Sequence, residues 1–140
     1  VTVSPIRYAK YGFHGSQLSK ATLLLAADKL VREEGEAVYY FPAYEIVNDE
    51  LRDYRFYKAD MLHPNEQAVE YIWERLVETC FSSEAKKFLE AWRPIKEALG
   101  HRPFNPDSET YRLFIEKTKE KAQRLKQLYP DIEIDEEQLK

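Results

Sequence analysis

The residues of this chain best suited to chemistry are Asp60 and His63, set as Asp60-x-x-His63 just ahead of Pro64-Asn65. A carboxylate three residues before an imidazole on a loop can accept the Nδ1 proton. That fixes the tautomer and leaves Nε2 able to take a proton from a serine hydroxyl. The pair is two-thirds of a nucleophile, base and acid set. The same spacing also serves a plainer role, in which Asp60 caps a turn and His63-Pro64 sets up the entry of a helix. On spacing alone the plainer role is the commoner one.

Other candidates carry less. Gly15-Ser16 opens a helical stretch, but the strand that would deliver a nucleophile there ends near Ser4, so Ser16 reads as a helix N-cap. Ser4, at a strand end before Pro5, reads as a turn residue that could line the pocket of a larger domain. His14 reads as a solvated loop histidine, and His101, beside Arg102 after a helix C-terminus, as a charge that suits the helix dipole. Asp60, His63, Glu45 and Glu50 supply no three-ligand set for a metal. Glu45, Asp49, Glu50, Arg52, Asp53 and Arg55 read as a solvated or mutually paired face.

The elements that must position these residues follow from patterning. Val1-Thr2-Val3 before Ser4-Pro5 reads as the end of a strand, and a loop with two glycines follows. From Ser16 to about Glu34, apolar residues occupy most of a helix circumference, with Gly35 as its stop; such a helix is buried on more than one side. The continuous apolar run Ala37 to Phe41, closed by Pro42, suits a strand buried on both faces. Strand, helix, strand in that order predicts a βαβ unit with a parallel pair. A short helix is expected over Ala43 to Leu51. Asn65 caps a helix with Val69, Ile72, Trp73, Leu76 and Cys80 as its stripe. Ser83 caps another that ends at Gly100, with Pro94 expected to kink or split it. Asp107 or Ser108 opens a last helix to about Tyr129, with Tyr111, Phe114, Ile115, Ala122, Leu125 and Leu128 as its stripe, and the acidic tail Asp131 to Lys140 is expected to fray.

Composition bounds the function classes. One hundred and forty residues, 44% hydrophobic and 33% charged, make about one domain with a real core, and no run is long and apolar enough to span a membrane. A net charge of −4 gives no pull toward nucleic acid. The basic residues of the last helix are diluted by Glu109, Glu116 and Glu120, so nucleic acid is not an expected partner. A lone Cys80 forms no intrachain disulfide and points to a reducing, cytoplasmic setting. The opening Val1-Thr2-Val3 reads as a cut through the middle of a strand, so the chain is expected to be a fragment, with any targeting segment upstream.

Several blocks in one order strongly resemble the GSCFA family: Leu18 to Ala26, Tyr40 to Val47, Asp49 to Tyr57, Asp60 to Asn65, Tyr71 to Arg75 and His101 to Pro106. That family looks like a branch of the SGNH hydrolases. The resemblance implies a three-layer α/β fold in which an early serine is the nucleophile, with His63 as base and Asp60 as its partner. It also implies a small-molecule ester or acyl substrate in the intact domain and no cofactor. The chain departs from the family in having no Gly-Ser-Cys-Phe-Ala segment, the stretch that names the family and holds its nucleophile.

The architecture expected is therefore α/β, a βαβ unit of an SGNH-like fold with added C-terminal helices. Residues 1–82 would be the C-terminal half of the hydrolase domain, 83–130 a helical extension packed on it, and 131–140 an acidic tail. The function expected is the C-terminal part of a serine esterase, acyl hydrolase or acyltransferase. The competing class is a folding or interaction module in which Asp60 and His63 only close a turn. Open strand edges and uncovered apolar faces at Val1 to Val3, Ala37 to Phe41 and Leu23 to Leu25 lead to the expectation that the fragment self-associates.

Overall fold

The computed structural model describes residues 1–135. Among them there is no β-strand and no sheet, and the fold is all-helical. The helices are α1 (Gly12–Glu34), α2 (Ala43–Glu45) running on into a π-helical stretch (Ile46–Leu51), α3 (Glu66–Cys80), α4 (Ser83–Gly100) and α5 (Glu109–Leu128). They fall into two compact units, Val1–Cys80 and Phe81–Lys140.

This overturns the α/β reading and its βαβ unit. The two expected strands do lie side by side: the Phe41 N–H donates to the Val1 carbonyl at 2.8 Å, and the Val1 amine donates to the Tyr39 carbonyl at 2.6 Å. The ladder then stops. The Phe41 carbonyl is taken by the Thr2 hydroxyl at 2.6 Å, and Pro5 and Pro42 have no N–H to extend the pairing. Two backbone hydrogen bonds with no third strand beside them do not make a sheet. Nor is the Ala37 to Phe41 run buried on both faces, since Tyr39 is exposed while Phe41 is buried.

In the first unit the core gathers Phe41, Ala43 and Ile46 against Leu51, Tyr71, Ile72 and Leu76. Of the expected α3 stripe, Ile72 and Leu76 reach this core, whereas Val69, Trp73 and Cys80 are exposed and Ala68, outside the stripe, is fully buried. Asn65 caps α3 as expected, its side-chain oxygen accepting the Ala68 N–H at 3.0 Å.

Helix α1 departs further. It starts at Gly12, so Ser16 lies inside it, and Ser16 is its one buried residue. The Ser16 hydroxyl accepts the Tyr8 N–H at 3.0 Å, which ties the preceding turn down. The side-chain ties from α1 to the rest of its unit come from Ser16, Gln17 and Lys20. Beyond them Leu23 and Leu25 stand exposed, so the helix is not buried on several sides. It does end at Gly35, whose φ of +56° is readily adopted only without a side chain.

The second unit is a helical pair. Ser82, not Ser83, caps α4 through the Ala85 N–H at 3.1 Å, and Ser108 caps α5 through the Tyr111 N–H at 3.2 Å. Helix α4 continues through Pro94 without being split. Ile95, Ala122, Leu125 and Ile134 form the core, with Phe88 edge-on to Tyr129 at 5.0 Å. Burying a side chain such as Ile95 contributes about 1.5–3 kcal/mol. The buried positions of α5 are Ile115, Thr118, Ala122 and Leu125, while Leu128 of the expected stripe is exposed. Ile132 and Ile134 pack into the same core, so the tail is anchored at least to that point. The rest of the expected acidic tail, 136–140, lies outside the described residues.

Two outcomes follow. A methyl group at Gly15 would stand 2.8 Å from Tyr11 Cβ, whereas one at Gly100 would meet nothing within 4 Å. Gly15→Ala should lower stability by about 1–3 kcal/mol in urea unfolding, and Gly100→Ala should be neutral or stabilising. The exposed Leu18, Leu23 and Leu25 of α1 lead us to propose that the chain self-associates at micromolar concentration. Sedimentation should then show a shift toward monomer in Leu18→Glu/Leu25→Glu, and a wild-type monomer would contradict it.

Candidate active site

Asp60 and His63 sit at the tip of a tight hairpin. Tyr57 and Pro64 form a single antiparallel bridge, flanked by Lys58 N–H to His63 carbonyl and Asn65 N–H to Phe56 carbonyl, each at 2.8 Å. Buried Phe56 and Pro64 fix the base of this loop to the first unit. At the tip the Met61 N–H donates to the Lys58 carbonyl at 2.9 Å, and Met61 takes a φ of +60°, uncommon for a residue with a side chain.

The Asp60 carboxylate does two jobs at once. Its Oδ1 accepts the Leu62 N–H at 2.9 Å and the His63 N–H at 3.0 Å, which closes the turn. Its Oδ2 lies 2.7 Å from His63 Nδ1. An ionised carboxylate only accepts, so the shared proton belongs to Nδ1, and in the neutral ring Nε2 is the acceptor. Among the described residues Nε2 makes no hydrogen bond. The two roles that spacing alone left as alternatives are thus divided between the two oxygens of one side chain. The backbone N–H of His63, that of Leu62 and the His63 ring together hold the Asp60 carboxyl well below its ordinary value, at about 2.

Among the described residues no serine hydroxyl hydrogen-bonds to this pair. The Ser4 hydroxyl accepts the Ile6 N–H at 3.3 Å, as a turn residue would, and the Ser16 hydroxyl is occupied by Tyr8. His14 lies exposed in the first turn of α1. In the second unit, His101 packs its ring on Tyr111 and Phe114 and helps line an aromatic cleft of about 280 Å³. A second cleft, of about 540 Å³, is lined by Leu51, Phe56, Gln67, Glu70, Tyr71 and Glu74. Neither cleft includes Asp60 or His63, whose side chains are about half exposed on their loop. No group of three or more His, Cys, Asp or Glu among the described residues could hold a metal ion.

The charged face expected around Glu45 to Arg55 serves mainly tyrosines and a turn. Tyr40 donates to both Glu45 oxygens at 3.0 and 2.9 Å; burial and that carboxylate push the Tyr40 hydroxyl up to about 12. Tyr71 donates to Glu50, and Asp53 accepts the Arg55 N–H at 2.8 Å. What sequence reasoning missed is Arg7. Its N–H donates to the Leu62 carbonyl at 3.1 Å, its guanidinium reaches the Met61 carbonyl at 3.4 Å, and it lies over the rings of Tyr54 and Tyr57. These contacts join residues some fifty positions apart, and no local pattern announces them.

Comparison with known proteins places these elements. The GSCFA family model matches residues 1–76, and that of the GSCFA domain protein C-terminal domain matches residues 92–140. The chain belongs to the GSCFA family. No curated protein and no solved structure matches it.

The depressed Asp60 value has a signed consequence. A carboxyl whose folded value is about 2 against an ordinary 3.8 strengthens the turn above pH 3.8, and that contribution is lost as pH falls through about 2. The Asp60 carboxyl carbon, followed by NMR, should titrate near pH 2 in the folded chain and near 3.8 in Asp60 of the unfolded chain. A folded midpoint at the ordinary value would mean the three hydrogen bonds are not kept in solution.

Proposed function

We propose that Asp60 and His63 are the orienting acid and general base of a serine-dependent ester or acyl hydrolase or transferase of SGNH type, and that this chain carries the C-terminal part of such a domain. The observation that supports this reading is the 2.7 Å contact from Asp60 Oδ2 to His63 Nδ1, which leaves Nε2 facing away from the carboxylate. Deprotonation of a serine by Nε2 would generate an imidazolium beside Asp60, a charge that the adjacent carboxylate stabilises. The attacking oxygen would come from the Gly-Ser-Cys-Phe-Ala segment, which this sequence does not contain. The substrate would be an ester or acyl compound, handled without a cofactor.

A second reading keeps the pair structural, in a folding or interaction module. It is favoured by Asp60 Oδ1, whose two backbone hydrogen bonds would close the turn whatever the ring did.

Turnover separates the two. Triad members act as a unit, so the 140-residue chain alone should show no saturable hydrolysis of a nitrophenyl ester; activity that disappeared in His63→Ala would contradict the missing nucleophile. In a chain that joins the Gly-Ser-Cys-Phe-Ala segment to this one, His63→Ala and Asp60→Asn should each lower kcat on the order of 10⁴-fold. Unchanged turnover in folded variants would leave the pair its turn-closing role only.

A further inference from the structure

Arg7, hydrogen-bonded to the His63 loop, and Lys20, hydrogen-bonded to Ser4 three residues before Arg7, have no counter-ion among the described residues. Each is half-buried. Lys20 Nζ donates to the Ser4 carbonyl at 2.5 Å and lies 6.0 Å from the centre of the Tyr44 ring. Arg7, three residues after Ser4, lies 4.4 Å from the centre of the Tyr57 ring and 5.4 Å from that of Tyr54. The Arg7 charge also acts on the Tyr44 hydroxyl, opposing the upward push that burial and Tyr57 give it. The carboxylates that also act on Tyr44 are Glu45, already held by Tyr40, and the exposed Asp49.

Each cation keeps unused donors. Arg7 directs one nitrogen to the Met61 carbonyl, and a guanidinium stacked on a ring face retains its in-plane edge for paired hydrogen bonds to an oxyanion. Lys20 has three N–H groups and uses one on Ser4. Burial pushes its ammonium below the usual lysine range. Two partly desolvated cations without a partner favour an anionic ligand over a neutral one. The Arg7 N–H and guanidinium bind the same two carbonyls, those of Leu62 and Met61, that lead into His63. An anion held by Arg7 is therefore held against the loop that carries the imidazole.

We infer that Arg7 and Lys20, over the faces of Tyr57, Tyr54 and Tyr44, form an oxyanion-group receptor that selects acidic substrates, esters or acyl compounds bearing a carboxylate or phosphate beside the bond His63 acts on. The substrate part of this rests on His63 being a base; the receptor part is measured without turnover. The receptor is a specificity device and takes no part in bond breaking.

The test is NMR titration of the 140-residue chain with inorganic phosphate and with succinate, using sodium chloride at matched ionic strength as the control. Saturable shifts of the Arg7 side-chain and Lys20 Nζ signals with either oxyanion, but not chloride, are expected; the tighter of the two identifies the group. Arg7→Gln and Lys20→Met should each weaken binding about tenfold, roughly the loss of one charge-assisted hydrogen bond. Exposed Lys58→Gln, on the same loop but outside the receptor, should not. Arg7 also braces the loop, so Lys20→Met, which leaves the loop's hydrogen bonds in place, is the decisive variant. Linear, non-saturating shifts, or equal weakening by Lys58→Gln, would show only general surface charge and overturn the receptor. Binding lost while the longer chain still needs His63 for turnover removes the receptor alone; binding kept while His63→Ala has no effect on turnover removes the base alone.

Discussion

The candidate site depends on one carboxylate. Asp60 spends one oxygen on the backbone of its own turn and the other on the imidazole, so the geometry of the ring and the geometry of the loop are set by the same group. A hydrogen bond to a ring is directional only if the acceptor is itself fixed, and here two backbone N–H groups fix it. Met61 in the left-handed region and Arg7 across two carbonyls hold the tip from the other side. The hairpin is thus braced from within, and it brings Asp60 and His63 together without a sheet beneath it.

The pair was legible in the sequence because the spacing that makes it is local: three residues suffice to carry the imidazole back over the carboxylate. Three helix ends were legible for the same reason, although the starts of α1 and α4 were misplaced at Ser16 and Ser83. Asn65, Gly35 and Ser108 each act on their own backbone within a turn. The α/β reading failed because it rested on a long-range pairing inferred from two apolar runs. Such runs state that a segment is extended and partly buried, but not how many partners it finds. Val1 and Phe41 do meet, yet Thr2 answers the next carbonyl with its hydroxyl, and prolines close both segments.

Faces were harder to read than elements. Helix α3 was placed correctly, but Val69 and Trp73 are exposed where Ala68 is buried. A small residue allows close approach, and the apolar stripe by itself does not say which flank is approached. Arg7 and Lys20 were invisible for a different reason: their meaning comes from Met61, Tyr57 and Tyr44, residues that reach them only once the chain has folded. Family resemblance supplied the catalytic expectation, and the residues supplied the orientation that makes it chemically sensible.

Ile134 has a practical bearing on how the molecule can be handled. It is buried with Ile95, Ala122 and Leu125, and Ile132 packs beside it, so the segment from Tyr129 to Ile134 completes the second unit's core rather than trailing from it. A protease that nicked the chain near Asp131 would uncover the groove between α4 and α5, and the shortened product would become sticky and prone to aggregate. Affinity tags, fluorophores and crosslinkers are better attached elsewhere, and the exposed thiol of Cys80 offers a ready handle for labelling.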